Sequence, residues 1–522
     1  MPRTTPIAAA ALFALTAAAQ PPTAAPPESD EPLVRINTRL VEVDVVVRGK
    51  TGPITGLKKE DFTITDKGKP QTVAAFRIIS PENRPAAPAD LPKGFVSNRL
   101  VKGDEEPPPV TVLLVDRMNT DVGDQAEVRR QLLHYLQTAA PGERLALYSL
   151  SKTLRMVQDF TADPEIVRKQ VFSHGSAESS VDLTAELFTE DLPVTGDAGT
   201  DAMTQNAANE LKDDAVKRRV DVTAYALGLI AKHLEGLPGR KKLIWFTSAF
   251  PAEYSYQGQR NYSTQIEIRE FSGKIEKAAQ VLNQANVAVY PIDPRNPYDG
   301  GFSAPGIDTM NLFATKTGGR AFYVINDMEA AIKTIEKDDE VTYMLGFYPQ
   351  DVKLDGTFHN LSVKVSRPGV EVRSRKGYFA TDSKPPTEKQ RTISIEEAFL
   401  NPLEATGIGL VGAASSAPGK PGIYNISLNL NLSELHLERE NGRWVALLTI
   451  ATEFAPKKHP NGTLQNIKLT LTEERLKQVL RTGYPLQLPF TAGTLTGGLR
   501  VVVQDRVTGD AGSLSLNIGA AI

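Results

Sequence analysis

The sequence predicts a mixed α/β protein in which a mostly parallel sheet is flanked by helices, with small β domains on its N- and C-terminal sides. Between residues 110 and 349, continuous apolar runs, which are typical of strands buried on both faces, alternate with segments of helical period. Shorter alternating runs between turn residues precede and follow this block. A chain of 522 residues exceeds one ordinary hydrophobic core, which predicts several domains.

The composition excludes several functional classes. The formal net charge is -3, and no basic stripe with interleaved aromatic residues is visible, so nucleic acid is not expected as a partner. The sequence contains no cysteine. This excludes disulfides, zinc-thiolate sites, iron–sulfur clusters and cysteine nucleophiles.

The N-terminal segment predicts export. Arg3 precedes an apolar run over Ile7–Ala19, and Ala17–Ala19 has the small-residue pattern that a signal peptidase accepts. The run is shorter than the roughly 20 residues that a membrane span needs. We therefore expect a signal peptide at 1–19, a mature chain without a membrane span, and a periplasmic or extracellular location. The alternative is a disordered alanine-rich tail.

Two linkers and a small β domain are predicted before the α/β block. Residues 20–33 and 81–109 are rich in proline and charged residues, and both are interpreted as linkers. Between them, at 34–80, valines alternate over 41–47, and Asp66–Pro70 supplies turn residues between two short apolar runs. This pattern predicts a small β domain that contains a hairpin.

In the block at 110–349, predicted strands and helices alternate. The strands are expected at 110–115, 145–150, 243–246, 287–292 and 343–347, and the helices at 125–138, 163–172, 204–234, 265–284 and 326–335. The acidic stretch at 173–199 lacks periodicity and is interpreted as an insertion. Such alternation predicts a mostly parallel sheet with helices on both faces.

The rest of the chain is predicted to be mainly β structure. Residues 350–380 alternate around Arg367–Gly369 and predict a β-hairpin extension of the α/β domain. Residues 381–522 begin with a short helix at 394–400. Short strands follow, predicted at 424–432, 444–454, 466–471 and 499–505. Their spacing favours a β-sandwich-like C-terminal domain.

The loop after the first strand of the α/β block carries candidate ligating residues. In an open parallel sheet, ligands bind beyond the carboxyl ends of the strands, and this strand ends in Asp116-Arg117-Met118-Asn119-Thr120. Here the chain resembles von Willebrand factor A (VWA) domains, whose first strand ends in Asp-x-Ser-x-Ser and holds a divalent metal. The resemblance implies a VWA-like, Rossmann-like fold and a metal-ion-dependent adhesion site of oxygen ligands suited to Mg²⁺.

Residue by residue, the match to that metal site is partial. Asp116 and Thr120 fit the leading carboxylate and the second hydroxyl, and Thr184 fits the threonine of the middle loop. Met118 stands where the family has a hydroxyl, and a thioether is too soft for magnesium. Thr247–Ala249 replaces the family's Thr-Asp-Gly. The resemblance thus implies a degenerate site that binds Mg²⁺ or Ca²⁺ weakly or not at all. The alternative is that Asp116 caps the following helix or organises the loop.

Further motifs, taken in their order along the chain, make it similar to the VWA-related proteins abundant in acidobacteria. The motifs are Gly56–Phe62 with the Asp66-x-Gly68 turn, Asp116-x-x-Asn119-Thr120, Trp245–Ser248, Thr317–Arg320, Tyr343–Pro349 and Arg375–Tyr378. The resemblance spans about residues 34–380. It implies an exported protein with a binding role rather than a catalytic activity.

Candidate partner-binding residues lie beyond the same strand ends. Asn119, Ser248 and Asp293 are predicted there, and for Asp293–Pro297 the alternative is a proline-rigid turn. The tyrosines at 254, 256 and 262, with Phe271, predict either part of a protein-binding surface or an ordinary packed loop. The acidic insertion predicts a solvated segment, with calcium binding as the alternative.

Catalytic motifs are not visible in the sequence. The six histidines are scattered without metal-ligand spacing, and neither a Gly-x-Ser-x-Gly elbow nor a phosphate-binding loop occurs. We therefore predict a protein-interaction or scaffolding module with an unknown protein partner, and not an enzyme. The alternatives are a metal-dependent hydrolase that uses Asp116 and a purely structural envelope protein.

Overall fold

The computed structural model describes residues 40–50, 52–80, 91, 94–99, 110–120, 122–139, 143–173, 196–237, 239–248, 262–295, 306–323, 331, 334–335, 341–349, 355–381, 385–454, 463–492 and 496–518. The predicted signal peptide, the linker at 20–33 and most of the acidic insertion lie outside the described residues. So do Thr184, Tyr254 and Tyr256, together with most of the predicted helix at 326–335.

The elements of the described residues are numbered in chain order. The strands are β1 (Val41–Arg48), β2 (Phe62–Asp66), β3 (Lys69–Gln71), β4 (Val73–Ile79), β5 (Val96–Ser97), β6 (Val110–Asp116), β7 (Arg144–Leu150), β8 (Leu154–Thr161), β9 (Lys241–Phe246), β10 (Val287–Ile292), β11 (Thr342–Phe347), β12 (Asp355–Val365), β13 (Glu371–Ser374), β14 (Gly377–Thr381), β15 (Leu410–Ser416), β16 (Ile423–Leu430), β17 (Glu438–Glu440), β18 (Arg443–Phe454), β19 (Thr463–Leu471), β20 (Tyr484–Thr491), β21 (Gly497–Asp505) and β22 (Ala511–Ile518). The helices are α1 (Gln125–Thr138), α2 (Pro164–Ser173), α3 (Ala198–Glu235), α4 (Tyr262–Gln284), α5 (Ile307–Thr317), α6 (Glu388–Leu400) and α7 (Glu473–Thr482).

A five-stranded sheet in the order β10-β9-β6-β7-β8 carries the candidate site. Strands β6, β7, β9 and β10 run parallel, and β8 lies antiparallel to β7. Every residue of β9 and β10 is buried, as expected of apolar strands covered on both faces. The prediction of a mostly parallel sheet is therefore confirmed. Strand β8 was not predicted and adds an antiparallel edge.

Helices cover both faces of this sheet. Leu114 and its neighbours on one face pack with α3, α4 and α5, whereas Leu113 and its neighbours on the other face pack with α1 and α2. Adjacent residues of β6 therefore belong to different cores, because successive side chains of a strand point to opposite faces. The continuous apolar run of this strand follows from that double burial.

Helix α3 spans 38 residues, and the preceding residue Asp197 caps it, because its carboxylate accepts a hydrogen bond from the backbone of Thr200 at 2.9 Å. This is an ordinary N-cap that satisfies one of the free amides of the first turn. Its second half is packed on the sheet, while Met203 and Leu211 of its first half are exposed. Among the helices that the structure describes, none is both long and apolar enough to cross a membrane.

The predicted strand at 343–347 lies in a different sheet from the one expected. Strand β11 pairs antiparallel with β1 and β4, in a sheet of order β13-β1-β11-β4, and a second sheet has the order β14-β12-β2-β3. The two sheets share a core that includes Val43, Ile64, Tyr343 and Leu361. The expectation that this strand closes the α/β block was wrong, because an apolar run does not specify its pairing partner. The predicted domain boundaries stay a prediction.

The C-terminal region consists of two antiparallel sheets around one core. The sheets have the orders β20-β16-β15-β5 and β17-β18-β21-β22, with β19 paired to β18. Ile426, Leu448 and Leu499 are among the residues that share the core. Strand β5 comes from the stretch predicted as a linker at 81–109, and helix α7 was not predicted.

Candidate functional site

The candidate site lies at the carboxyl edge of the parallel sheet. Strand β6 ends at Asp116, β9 is followed by Thr247 and Ser248, and β10 is followed by Asp293. Because β6, β9 and β10 are parallel and adjacent, their carboxyl ends meet at the same edge. These are the positions from which the sequence predicts a metal site or a partner-binding surface.

The carboxylate of Asp116 is fully buried and accepts five hydrogen bonds. Oδ1 accepts from the backbone amides of Met118 at 3.1 Å and Asn119 at 3.0 Å. Oδ2 accepts from Asn119 Nδ2 at 2.8 Å, Trp245 Nε1 at 3.0 Å and Thr247 Oγ1 at 3.1 Å. A carboxylate has about four lone-pair sites, so the protein itself satisfies this group completely.

None of these five donors carries a charge. Burial raises the pKa of Asp116, and the hydrogen bonds from Asn119, Trp245 and Thr247 oppose that rise without cancelling it. Hydrogen bonds from neutral donors, without any ion pair, are therefore what stabilise this carboxyl group. Its backbone contacts close a turn over residues 116–119, in which an aspartate side chain bonds amides two and three residues ahead.

Asn119 links this turn to the long helix α3. Its Nδ2 donates to Thr223 Oγ1 at 2.8 Å as well as to Asp116. Its Oδ1 and the hydroxyl of Thr120 are buried atoms with no hydrogen-bond partner among the described residues. Two uncharged oxygens at this edge thus lack a donor.

Of the predicted metal-site residues, the structure describes Asp116, Met118 and Thr120, and these three do not fit a divalent metal. Asp116 has no oxygen lone pair left for a cation, and Met118 is packed in the apolar core with Leu114 and Trp245. Within the described residues, no group of three or more histidine, aspartate or glutamate side chains is arranged to hold a metal ion. Asn119 Oδ1 and the Thr120 hydroxyl offer two neutral oxygens, which without a carboxylate form a poor ligand set for Mg²⁺.

The other two predicted residues make separate contacts. Ser248 donates to Asp124 Oδ2 at 3.1 Å, next to the start of α1. Asp293 forms a two-pronged ion pair with Arg295, in which Nη2 lies 2.6 Å from Oδ2 and Nε 3.0 Å from Oδ1. This supports the interpretation of that segment as a rigid turn, although residues 296 and 297 lie outside the described part of the chain.

The structure brings together only part of what was predicted. Asp116 and Asn119 belong to one network, while Ser248 and Asp293 are held by other partners. Phe271 lies on α4 and is buried in the hydrophobic core between this helix and the parallel sheet, as expected of an ordinary packed residue. Sequence reasoning missed Thr223 as a partner of Asn119, because it lies 104 residues further along the chain. Trp245 was noted only as part of a motif.

Comparison with known proteins finds no matching family model and no matching curated protein. Among solved structures, a von Willebrand factor type A protein from Catenulispora acidiphila covers 85% of this chain and 74% of its own, at 9% identity and a TM-score of 0.24. The VWA domain of the type V pili tip protein Mfa5 from Porphyromonas gingivalis covers 44% of this chain and 94% of its own, at 13% identity and 0.24. An aerotolerance-related membrane protein from Bacteroides fragilis covers 44% and 98%, at 10% identity and 0.27.

At these identities and TM-scores the likenesses carry no argument about what this chain is. The mostly parallel sheet is confirmed by its strand pairing, and the resemblance to VWA domains rests on the sequence motifs. The acidobacterial type stays a prediction. So do the ligand, the partner and the location of the protein.

Proposed function

We propose that this chain is an exported, VWA-related interaction or scaffolding protein whose carboxyl-edge site is a degenerate adhesion site that works without a metal. The observation that carries the proposal is that the carboxylate of Asp116 accepts hydrogen bonds from five protein donors. A VWA domain that recruits a ligand through a cation needs that carboxylate for the metal. Here the same carboxylate holds the loop at 117–120.

The burial of the predicted partner-binding residues refines this role. Asn119 is 5% exposed, Ser248 is 2% exposed and Asp293 is 6% exposed. Such side chains present almost no surface to a partner, so we propose that they position loops rather than contact a ligand. The partner then recognises the loops that these residues hold in place.

The scaffolding role is supported by close contacts between the α/β part and its neighbours. Toward the C-terminal sheets, His233 Nδ1 lies 2.6 Å from the carbonyl of Glu404, and Thr406 Oγ1 donates to the carbonyl of His233 at 2.6 Å. A Cβ on Gly236 would lie 1.6 Å from the carbonyl oxygen of Thr406, so only glycine permits this approach.

A similar junction joins the α/β part to the N-terminal sheets. Asn286 Nδ2 donates to Asp44 Oδ2 at 2.9 Å, and Asn283 Nδ2 donates to the carbonyl of Gly377 at 3.1 Å. Buried polar contacts of this kind fix one relative arrangement of the parts, because any other arrangement leaves the groups unsatisfied. Both junctions lie just before β9 and β10 in the chain, at the amino edge of the sheet. They fix the α/β part on the side opposite to the carboxyl edge, which stays available as a binding face.

The metal-independent part of the proposal is tested by calorimetric titration. Mg²⁺ and Ca²⁺ are titrated into the full chain and into Asp116→Asn, with equal and negligible heats expected. Saturable binding that only the wild-type chain shows contradicts the proposal. Metal-dependent hydrolysis that the substitution abolishes favours the hydrolase instead.

The interaction part needs a second experiment. The full chain is cross-linked to proteins of the native envelope with and without EDTA. The same defined partner is expected in both samples. Loss of that partner in EDTA contradicts a metal-free site, and no specific partner under either condition favours a purely structural envelope protein.

A further inference from the structure

A cavity of about 140 Å³ lies on the α1 and α2 side of the parallel sheet, close to its carboxyl edge. Its walls come from β6, β7 and β8 and from the two helices. This cavity, termed here the arginine pocket, is distinct from the network around Asp116, which is not among its lining residues. Clefts outside the carboxyl ends of strands are the usual ligand sites of open α/β sheets.

The polar part of the arginine pocket is strongly basic. Arg117, Arg129 and Arg155 line it, and no aspartate or glutamate occurs among its described lining residues. A guanidinium is always charged and carries only N–H donors, so the described lining offers positive charge and hydrogen-bond donors to a ligand. The composition of the lining thus selects a negatively charged ligand.

Arg129 is held in place by an aromatic ring. Its guanidinium carbon lies 4.9 Å from the centroid of the Phe172 ring. Such stacking uses the face of the guanidinium, whereas its five N–H donors lie in its plane. Arg117 and Arg155 make further contacts within the chain, and five donors allow each guanidinium to bind a ligand in addition.

Gln125 supplies a second, independent sign of a missing acceptor. It is the first residue of α1 and lines the arginine pocket. Among the residues that the structure describes, its buried Nε2 has no hydrogen-bond partner. A buried donor left unsatisfied is destabilising, so a ligand oxygen at this position removes a penalty from the folded chain. The positive end of the α1 dipole lies at the same place.

The rest of the arginine pocket is mostly apolar, with Ser149, Gln170 and Ser173 as further polar residues. Valine and leucine side chains form the apolar walls, namely Val115, Val128, Leu132, Leu147, Val157 and Val171. A fully hydrated phosphate gains nothing from such walls and loses water to them. An anion with a short hydrocarbon part forms charge-assisted hydrogen bonds with the arginines, and its hydrocarbon part is buried against the valine and leucine side chains. Both contacts favour binding.

We propose that the arginine pocket binds a carboxylate carried on a short apolar stem. The carboxylate comes either from a small free organic acid or from the C-terminus of a peptide. The planar fork of a guanidinium matches the planar carboxylate in two parallel hydrogen bonds, and Gln125 Nε2 donates to the same group. This inference concerns another cavity than the site of the proposed function and does not depend on it.

The test uses the purified full chain and sodium butanoate, followed by saturation-transfer NMR. Millimolar binding of butanoate is expected, with no saturable binding of butanamide, which has the same shape without the charge. Replacing Arg129 by glutamine is expected to weaken binding by about tenfold, the loss of one charge-assisted pair. Arg130→Gln is the matched control, because Arg130 is the next residue, pairs with Glu127 at 2.5 Å and does not line the pocket.

Equal binding of butanoate and butanamide overturns the proposal, as does equal weakening by both arginine substitutions. Tighter binding of inorganic phosphate than of butanoate overturns the choice of a carboxylate. A short peptide that ends in a leucine carboxylate, compared with its C-terminal amide, separates the two sources. Competition between the free-acid peptide and butanoate assigns a peptide end, and binding of butanoate without such competition assigns a small acid.

Discussion

The two edges of the parallel sheet each bury a carboxylate, and the two are stabilised in opposite ways. At the carboxyl edge, Asp116 is surrounded by neutral donors. At the amino edge, Glu143 lies 2.6 Å from Lys242 and accepts hydrogen bonds from Thr111 and from Tyr135 at 3.2 Å. Burial raises the pKa of Asp116. Burial would also raise that of Glu143, but Lys242 and the hydrogen bonds outweigh it and lower the pKa.

The two edges differ in what compensates the buried carboxylate, which is an ion pair at the amino edge and a set of neutral donors at the carboxyl edge. Glu143 and Lys242 form a buried pair without net charge, in which each partner offsets part of the cost of burying the other, so removing one partner alone is strongly destabilising. Asp116 has no cation among its five donors, and four of these donors belong to Met118, Asn119 and Thr247, in the segments that follow β6 and β9. Burying a carboxylate without a cation lowers the stability of the fold, and in return the loop at 117–120 is held in one conformation.

The largest expected effect comes from breaking the ion pair at the amino edge. Glu143→Gln leaves the buried ammonium of Lys242 uncompensated, and we expect a loss of about 4 kcal/mol in the free energy of unfolding. Urea unfolding is followed by Trp245 fluorescence in a Trp444→Phe background, because the chain has only these two tryptophans. Adding Lys242→Met to Glu143→Gln is expected to restore much of the loss. A double variant as unstable as the single one contradicts a charge-based explanation.

The second effect is that of Asp116→Asn at the carboxyl edge. An amide nitrogen replaces one acceptor oxygen, so at least two of the surrounding donors lose their partner, and we expect a cost of roughly 3 kcal/mol. The emission of Trp245 should shift, since its Nε1 donates to this carboxylate. The same unfolding assay measures both changes. A chain that loses no stability shows that the network does not hold the loop.

A smaller effect is expected from Thr247→Val, which keeps the shape of the side chain and removes one of the five donors. We expect a cost of about 2 kcal/mol, the range of a hydrogen bond to a charged group. In a double-mutant cycle with Asp116→Asn, most of this cost should disappear, because its acceptor is already altered. Fully additive costs contradict a direct contact between the two side chains.

The parts of the fold that follow local rules were predictable from the sequence. Helix α1 has the predicted bounds, and β10 has the predicted bounds as well, because each is specified by its own period and burial. The partner of β11 was not predictable, since pairing with β1 joins residues about 300 positions apart. Helix α5 was not predicted, although its buried residues Met310, Phe313 and Ala314 recur at helical spacing.

The candidate site shows the same division. The sequence singles out Asp116 because it ends a buried strand, and the alternative that it organises its own loop is supported by the bonds to Met118 and Asn119. The donors from Trp245 and Thr247 come from 129 and 131 residues away. No local pattern reports which face of a neighbouring strand such donors occupy, so the complete saturation of this carboxylate required the structure.

The smallest expected effect concerns the pH dependence of stability and comes from one of two adjacent buried lysines at the amino edge. Lys242 has Glu143 as its counter-ion, whereas Lys241 donates to the carbonyl of Leu237 at 2.7 Å, and burial lowers its pKa from 10.5 to about 8. In the unfolded chain Lys241 is protonated below about pH 10.5, whereas in the folded chain it is protonated only below about pH 8. Between these two values the unfolded chain binds more protons, so the folded state becomes less stable as the pH falls from 10.5 to 8. Raising the pH from about 7 to about 9 should therefore stabilise the folded chain by about 1 kcal/mol. Lys241→Met should lose this rise in the urea assay, and an equal rise in both chains assigns it to another group.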